Sequence, residues 1–118
     1  MKYILPKGFL SSGIKSGIKK NKLDCGLIYS IKNCDAVITF TKSKLVSSHI
    51  IYDRKISNKP VRAIFVNSGN ANTFTGMEGV KDLFKIASKL SARLKIRSNS
   101  ILFAATRKIG KRLVLDLD

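Results

Sequence analysis

Three asparagines and a glycine stand together in Val66-Asn67-Ser68-Gly69-Asn70-Ala71-Asn72. Asparagine tolerates left-handed backbone and closes turns through its own side chain. The segment follows an apolar run and precedes a helical pattern. It reads either as a demanding strand-to-helix turn or as a polar network supporting an active site at a strand's end. A second candidate is Ala104-Ala105-Thr106-Arg107-Lys108-Ile109-Gly110. A threonine just past a buried strand can aim its hydroxyl and the next backbone N–H at one point, and such a pair stabilises an oxyanion. The other reading is an ordinary strand end.

Other chemistry is thinly supplied. Cys25 and Cys34 lack CxxC spacing, and His49 is the single histidine. A four-ligand zinc site needs more ligands at other spacings, so no metal is expected. The two thiols read as free and buried. His49 reads as a surface or satisfied residue. Gly8-Phe9-Leu10-Ser11-Ser12-Gly13-Ile14-Lys15-Ser16 approaches a phosphate-binding loop, but Ile14 displaces the lysine from the register that reaches the phosphates. Lys7-Gly8-Phe9 matches only the opening of an RNA-recognition signature.

The elements that must position these residues can be read from periodicity. Residues 7–22 hold Gly8, Gly13 and Gly17 among serines and lysines and read as loop. Residues 26–31 and 36–41 are β-rich runs joined by a short polar turn, a hairpin pattern. Residues 42–53 fit either a short helix plus a strand or a bent strand. Asn58-Lys59-Pro60 is a turn signal. Residues 61–66 form the strongest strand, expected to end at Asn67-Ser68-Gly69. Met77, Val80, Leu83, Phe84, Ala87, Leu90 and Leu94 recur at helical spacing, with Lys81, Lys85, Lys89 and Arg93 opposite. Thr75-Gly76-Met77-Glu78 is a capping-box pattern at that helix's start. Residues 100–105 read as a strand ending in Thr106, and Leu113-Val114-Leu115 is a further apolar run. The order is loop, hairpin, strand, helix, strand: an α/β chain.

Bulk properties set the frame. With 118 residues and 44% hydrophobic content, one domain and one core are expected. Lys and Arg number 23 against 7 Asp and Glu, a formal charge of +16. No acid precedes Asp24, and none falls between Asp82 and Asp116. Such a field attracts nucleic acid, anionic lipid or an acidic partner, or simply reflects a lysine-rich composition. No apolar run approaches the roughly 20 residues of a membrane helix. The basic, acid-free first 22 residues have the composition of a transit peptide, though without arginine.

At the two candidate segments the chain resembles the ornithine acetyltransferase family, also called glutamate N-acetyltransferase. The likeness is carried by Arg62-Ala63-Ile64-Phe65-Val66-Asn67-Ser68-Gly69-Asn70-Ala71-Asn72, then Thr75-Gly76 and Gly79. Upstream, Pro6-Lys7-Gly8-Phe9, Ser12-Gly13-Ile14-Lys15, Gly17-Ile18-Lys19-Lys20, the stretch from Asp24 to Ser30, and Phe40-Thr41 keep the family's order. The resemblance assigns the basic N-terminus to the domain. It implies an incomplete layered α/β sandwich, residues 1–118 being one domain, the N-terminal portion of the family's alpha chain. Its enzymes cleave themselves before a threonine, which becomes the nucleophile of acetyl transfer from N-acetylornithine to glutamate in arginine biosynthesis. Some also use acetyl-CoA. A free α-amine can serve as base for its own hydroxyl.

The resemblance further implies that Thr106 stabilises the oxyanion. Arg107 stands where the family has glycine, which keeps a backbone N–H but gives up glycine's conformational freedom. Asn67, Ser68, Gly69, Asn70 and Asn72 would support the site. The nucleophile and the substrate contacts are expected beyond Asp118. The implied partners are the remainder of the enzyme, namely the C-terminal part of the alpha chain and the beta chain, with N-acetylornithine and glutamate as substrates. No resident cofactor, no metal and no membrane are implied, and the location is cytoplasmic. A basic module that binds nucleic acid or another anion on the same fold is the alternative reading of the charge.

Overall fold

Two helices lie on one face of a four-stranded sheet, and a short segment without regular structure crosses the other. A computed structural model of the chain describes residues 4–17, 20–44, 46–73 and 76–109, giving the backbone alone at 69–73, 76 and 106–109. The order is β1 (Phe9–Ile14), β2 (Cys25–Cys34), α1 (Ser48–Ile56), β3 (Val61–Thr73), α2 (Gly76–Leu94), a 3-10 turn (Ser98–Ser100) and β4 (Ile101–Ile109). The strands sit side by side in chain order. β1 with β2 and β2 with β3 are antiparallel, whereas β3 and β4 are parallel. A parallel pair needs a long crossover, and α2 supplies it.

The hairpin forms, but not where the pattern placed it. The partner of β2 is β1, within the glycine-rich stretch expected to be loop. Residues 36–41 are not a strand. β1 is an edge strand with exposed side chains, so its sequence shows no apolar alternation to find. Gly8 (φ 91°) turns the chain into it, and the Ile31 N–H donates to the Gly8 carbonyl at 3.0 Å. The β-rich run at 36–41 instead lies across the sheet's second face. There Ile38 packs against the core while Val37 is 99% exposed.

The ambiguous stretch before Asp53 resolves as α1. Ser48, Tyr52 and Ile56 share its buried stripe at steps of four. Alternate residues of the two parallel strands face the helices: Ala63 and Phe65 on β3, Ile101 and Phe103 on β4. Leu83, Ile86 and Ala87 of α2 close the core over them. Edge-to-face ring contacts tie the layers together, Tyr52 to Phe103 at 5.0 Å and Phe65 to Phe103 at 5.8 Å between centroids. Tyr52 also donates its hydroxyl to the Ser98 carbonyl at 3.1 Å.

α2 matches its periodicity except at Met77 and Phe84, which remain partly exposed. Phe84 still meets the Tyr52 ring at 4.9 Å. Lys81, Lys85, Lys89 and Arg93 occupy the exposed face. Thr75 of the capping pattern lies outside the described residues, as does the apolar run at 113–115. The turn before β3 forms where expected. Both cysteines are free thiols, Cys25 buried and Cys34 only half-buried. Among the described residues, no helix is long and apolar enough to cross a membrane.

Candidate active site

β3 does not stop at Asn67. It runs on to Thr73, so the asparagine-rich segment is extended strand rather than a turn. β4 likewise continues past Thr106 to Ile109. The parallel register then sets the two candidate segments side by side: Asn67 opposite Ala105, Ser68 opposite Thr106, Gly69 opposite Arg107, and Asn70 opposite Lys108. They meet at the carboxyl ends of two parallel strands, the position at which open α/β sheets bind ligands. Two features that look independent in the sequence thus form one locus. Asn72 follows farther along the same strand.

Asn67 is the best-buried member, 2% exposed, on the face that carries Phe65 and Ala63. Its neighbour across the antiparallel pairing is Cys25. Ser68, half-buried, donates its N–H to the Asp24 carbonyl at 2.7 Å. Asp24 itself is 3% exposed, and its Oδ1 accepts the Ser16 N–H at 2.6 Å. One acidic residue therefore ties the loop between β1 and β2 to the asparagine segment. Residue-type patterns missed Asp24. The signal was present, because it is the first acid after a run of lysines.

The thiol of Cys25 donates to Ser16 Oγ at 3.3 Å. Burial pushes its pKa up, the Ser16 hydroxyl partly offsets this, and the nearby Asp24 charge raises it again. A thiol held up in this way is not a nucleophile near neutral pH. His49 serves locally, its Nδ1 lying 2.8 Å from the Ser47 hydroxyl at the start of α1. Residues 8–16, the approach to a phosphate loop, are largely β1, and the next element among the described residues is strand β2 rather than a helix that could bind phosphate. Among the described residues, no group of three or more His, Cys, Asp and Glu side chains could hold a metal.

The edge position of β4 decides how its amides point. The Phe103 N–H donates to Asp53 Oδ1 at 2.9 Å, so it faces away from β3. Amides two residues apart on a strand share a side. Those of Ala105 and Arg107 are therefore turned to the outer edge, while that of Thr106 is turned to β3. The Arg107 N–H thus stands outside the β3–β4 ladder, in the row from which a donor can reach a ligand.

The ArgJ family model matches residues 10–117. The arginine biosynthesis bifunctional protein ArgJ 2 of Clostridium acetobutylicum is 46% identical over 115 residues, covering 97% of this chain and 30% of its own length. The corresponding Thermotoga neapolitana protein is 36% identical over 115 residues, covering 95% of this chain and 29% of its own length. The chain thus spans about 30% of the length of these curated relatives, matching their N-terminal part. The crystal structure of the Bacillus halodurans arginine biosynthesis bifunctional protein ArgJ superposes with a TM-score of 0.86 at 26% identity. The alignment covers 91% of this chain and 57% of that one. Ornithine acetyltransferase of Mycobacterium tuberculosis, solved in complex with ornithine, gives 0.85 at 28% identity, covering 92% of this chain and 60% of that one. The fold is the layered α/β fold of ornithine acetyltransferases, as the resemblance implied.

Proposed function

Because the chain belongs to the ArgJ family, we propose that it supplies the N-terminal portion of a glutamate N-acetyltransferase of arginine biosynthesis. The observation that carries this reading is the pairing of Ser68 with Thr106 and of Gly69 with Arg107 at the carboxyl ends of β3 and β4. In the proposed reaction a threonine hydroxyl from the rest of the enzyme attacks the acetyl carbonyl of N-acetylornithine. The carbonyl oxygen becomes an oxyanion. The Thr106 hydroxyl and the outward Arg107 N–H donate to it. Collapse breaks the amide C–N bond and expels ornithine, whose amine takes the proton that the threonine hydroxyl gave up to its own α-amine, and leaves an acetyl ester on the threonine. The glutamate amine then attacks that ester through a second oxyanion at the same place; collapse breaks the ester bond, releases N-acetylglutamate and returns a proton from the amine to the threonine oxygen.

Asn67, Ser68, Gly69, Asn70 and Asn72 hold this locus rather than react. Buried Asn67 and the Asp24 clamp fix the end of β3 against β2. The reading makes residues 1–118 one folding unit, with the nucleophile and the substrate contacts coming from the rest of the enzyme. It also puts the protein in the cytoplasm, where two free thiols stay reduced.

The test is reconstitution. The 118-residue chain is co-expressed with the part of the Clostridium acetobutylicum relative that lies C-terminal to the matched region. Acetyl transfer from N-acetylornithine to glutamate is then assayed on the co-purified pair. Transfer by the pair and none by either part alone is the expected result. A co-purified pair without transfer overturns the reading.

A further inference from the structure

At the opposite end of the parallel strands from the asparagine segment, three connections meet around a cleft of about 530 Å³. Asn33 comes from the end of β2, Lys59 from the turn before β3, and Lys95, Arg97 and Asn99 from the link between α2 and β4. Arg62 of β3 completes the wall. Among the described residues the lining holds four cationic side chains and no acidic one. Among the described residues, no carboxylate is recorded within ion-pair distance of Lys59, Lys95 or Arg97.

Arg62 is already held in place. Its Nε donates to the Ser30 carbonyl and its Nη2 to the Tyr29 hydroxyl, both at 2.8 Å, with the guanidinium 5.3 Å from the Tyr29 ring centre. A guanidinium carries five N–H donors, so others remain for a ligand. Pinning it beforehand reduces what is lost when it grips an oxyanion. Lys95 reaches the cleft from a left-handed backbone, φ 55°, a conformation uncommon for residues with side chains. Concave walls of one sign concentrate counter-charge.

Size and lining select the ligand. The volume falls in the range of small-molecule sites. Among the described residues no aromatic side chain lines the cleft, so nucleobases find no stacking platform there. We infer that the cleft binds a small oligophosphate anion, a di- or triphosphate group, through Lys59, Arg62, Lys95 and Arg97. Planar guanidinium and compact ammonium groups together match phosphate oxygens. The site lies away from the proposed oxyanion locus and does not depend on the acetyl-transfer reading.

Isothermal titration of the full 118-residue chain with sodium triphosphate tests this. Saturable one-to-one binding is expected. The double variant Lys59→Gln/Arg97→Gln should weaken it about tenfold. The control Lys85→Gln/Lys89→Gln, on the exposed face of α2, removes the same charge and should change it less than about twofold. Adenosine triphosphate should bind as inorganic triphosphate does, since phosphate chemistry is shared. Equal weakening by both variants, or no saturation, overturns the proposal. So does tighter binding of a single-stranded oligonucleotide that the cleft variant leaves unchanged, which would mark a nucleic-acid surface instead. All four substituted positions are exposed, so the core is untouched.

Discussion

Asp53 Oδ1 accepts the Phe103 amide at 2.9 Å and so caps a donor on the outer edge of β4 from helix α1. Asp53 is 7% exposed. Burial pushes its pKa up to about 7, against the opposing pull of the Phe103 N–H. An ordinary Asp in the unfolded chain titrates near 3.9. The folded state therefore binds the proton more tightly. This contribution is fully present below about pH 4 and is lost as pH rises through about 7.

Stability should accordingly fall with pH between about 4 and 7, by at most about 1.4 kcal/mol per unit from this group. Asp53→Asn keeps an oxygen acceptor for Phe103 and removes the titration. Urea unfolding at pH 5 and pH 8 should show the variant gaining on the parent at the higher pH. An equal difference at the two pH values would mean that Asp53 does not titrate in this window.

Phe103 joins α1 to β3 through its contacts with Tyr52 and Phe65. Phe103→Ala removes both and opens a cavity, at a cost of about 3–5 kcal/mol. That approaches the whole stability of a small domain. A far-ultraviolet dichroism melt should show the variant without a cooperative transition at room temperature or above. A melt within a few degrees of the parent's would contradict this packing.

Asn67 is buried among its interaction partners where β2 and β3 meet. Asn67→Leu leaves its polar neighbours unsatisfied, costing about 1–3 kcal/mol. In the reconstituted pair the variant should lose acetyl transfer more than its stability loss explains, because the end of β3 shifts. Kinetics at a temperature where both proteins stay folded provide the check; unchanged kcat would remove Asn67 from the locus.

The oxyanion proposal separates hydroxyl from amide. Thr106→Ala should lower kcat of the reconstituted pair about 100-fold, with KM for N-acetylornithine little changed. Arg107→Pro deletes the outward N–H, at an edge-strand position that tolerates proline. It should lower kcat similarly. Arg107→Gly keeps the N–H and should retain activity. If Arg107→Gly and Arg107→Pro behave alike, the amide plays no part.

Much of this is legible in the sequence. The 3.6-residue pattern of residues 77–94 fixed α2, since a long amphipathic stripe has one way to bury itself. The apolar run at 61–66 marked a buried strand, and the asparagine segment carried the family likeness. β1 was hidden because an exposed edge strand buries no alternating face. Residues 36–41 misled for the converse reason: β-branched side chains also suit a segment lying flat on a sheet.

The chain by itself determined its residue types, its +16 charge and the presence of two unusual polar segments, all of which are properties of local order along the polymer. Only the tertiary structure decided that the two segments are neighbours. Ser68 and Thr106 lie far apart in sequence, and a parallel register through the α2 crossover brings them together. Likewise, which β4 amides face outward depends on β4 being an edge and on Asp53 capping it. Pairing and edge position arise from burial and hydrogen bonding over the whole sheet, which no local pattern encodes.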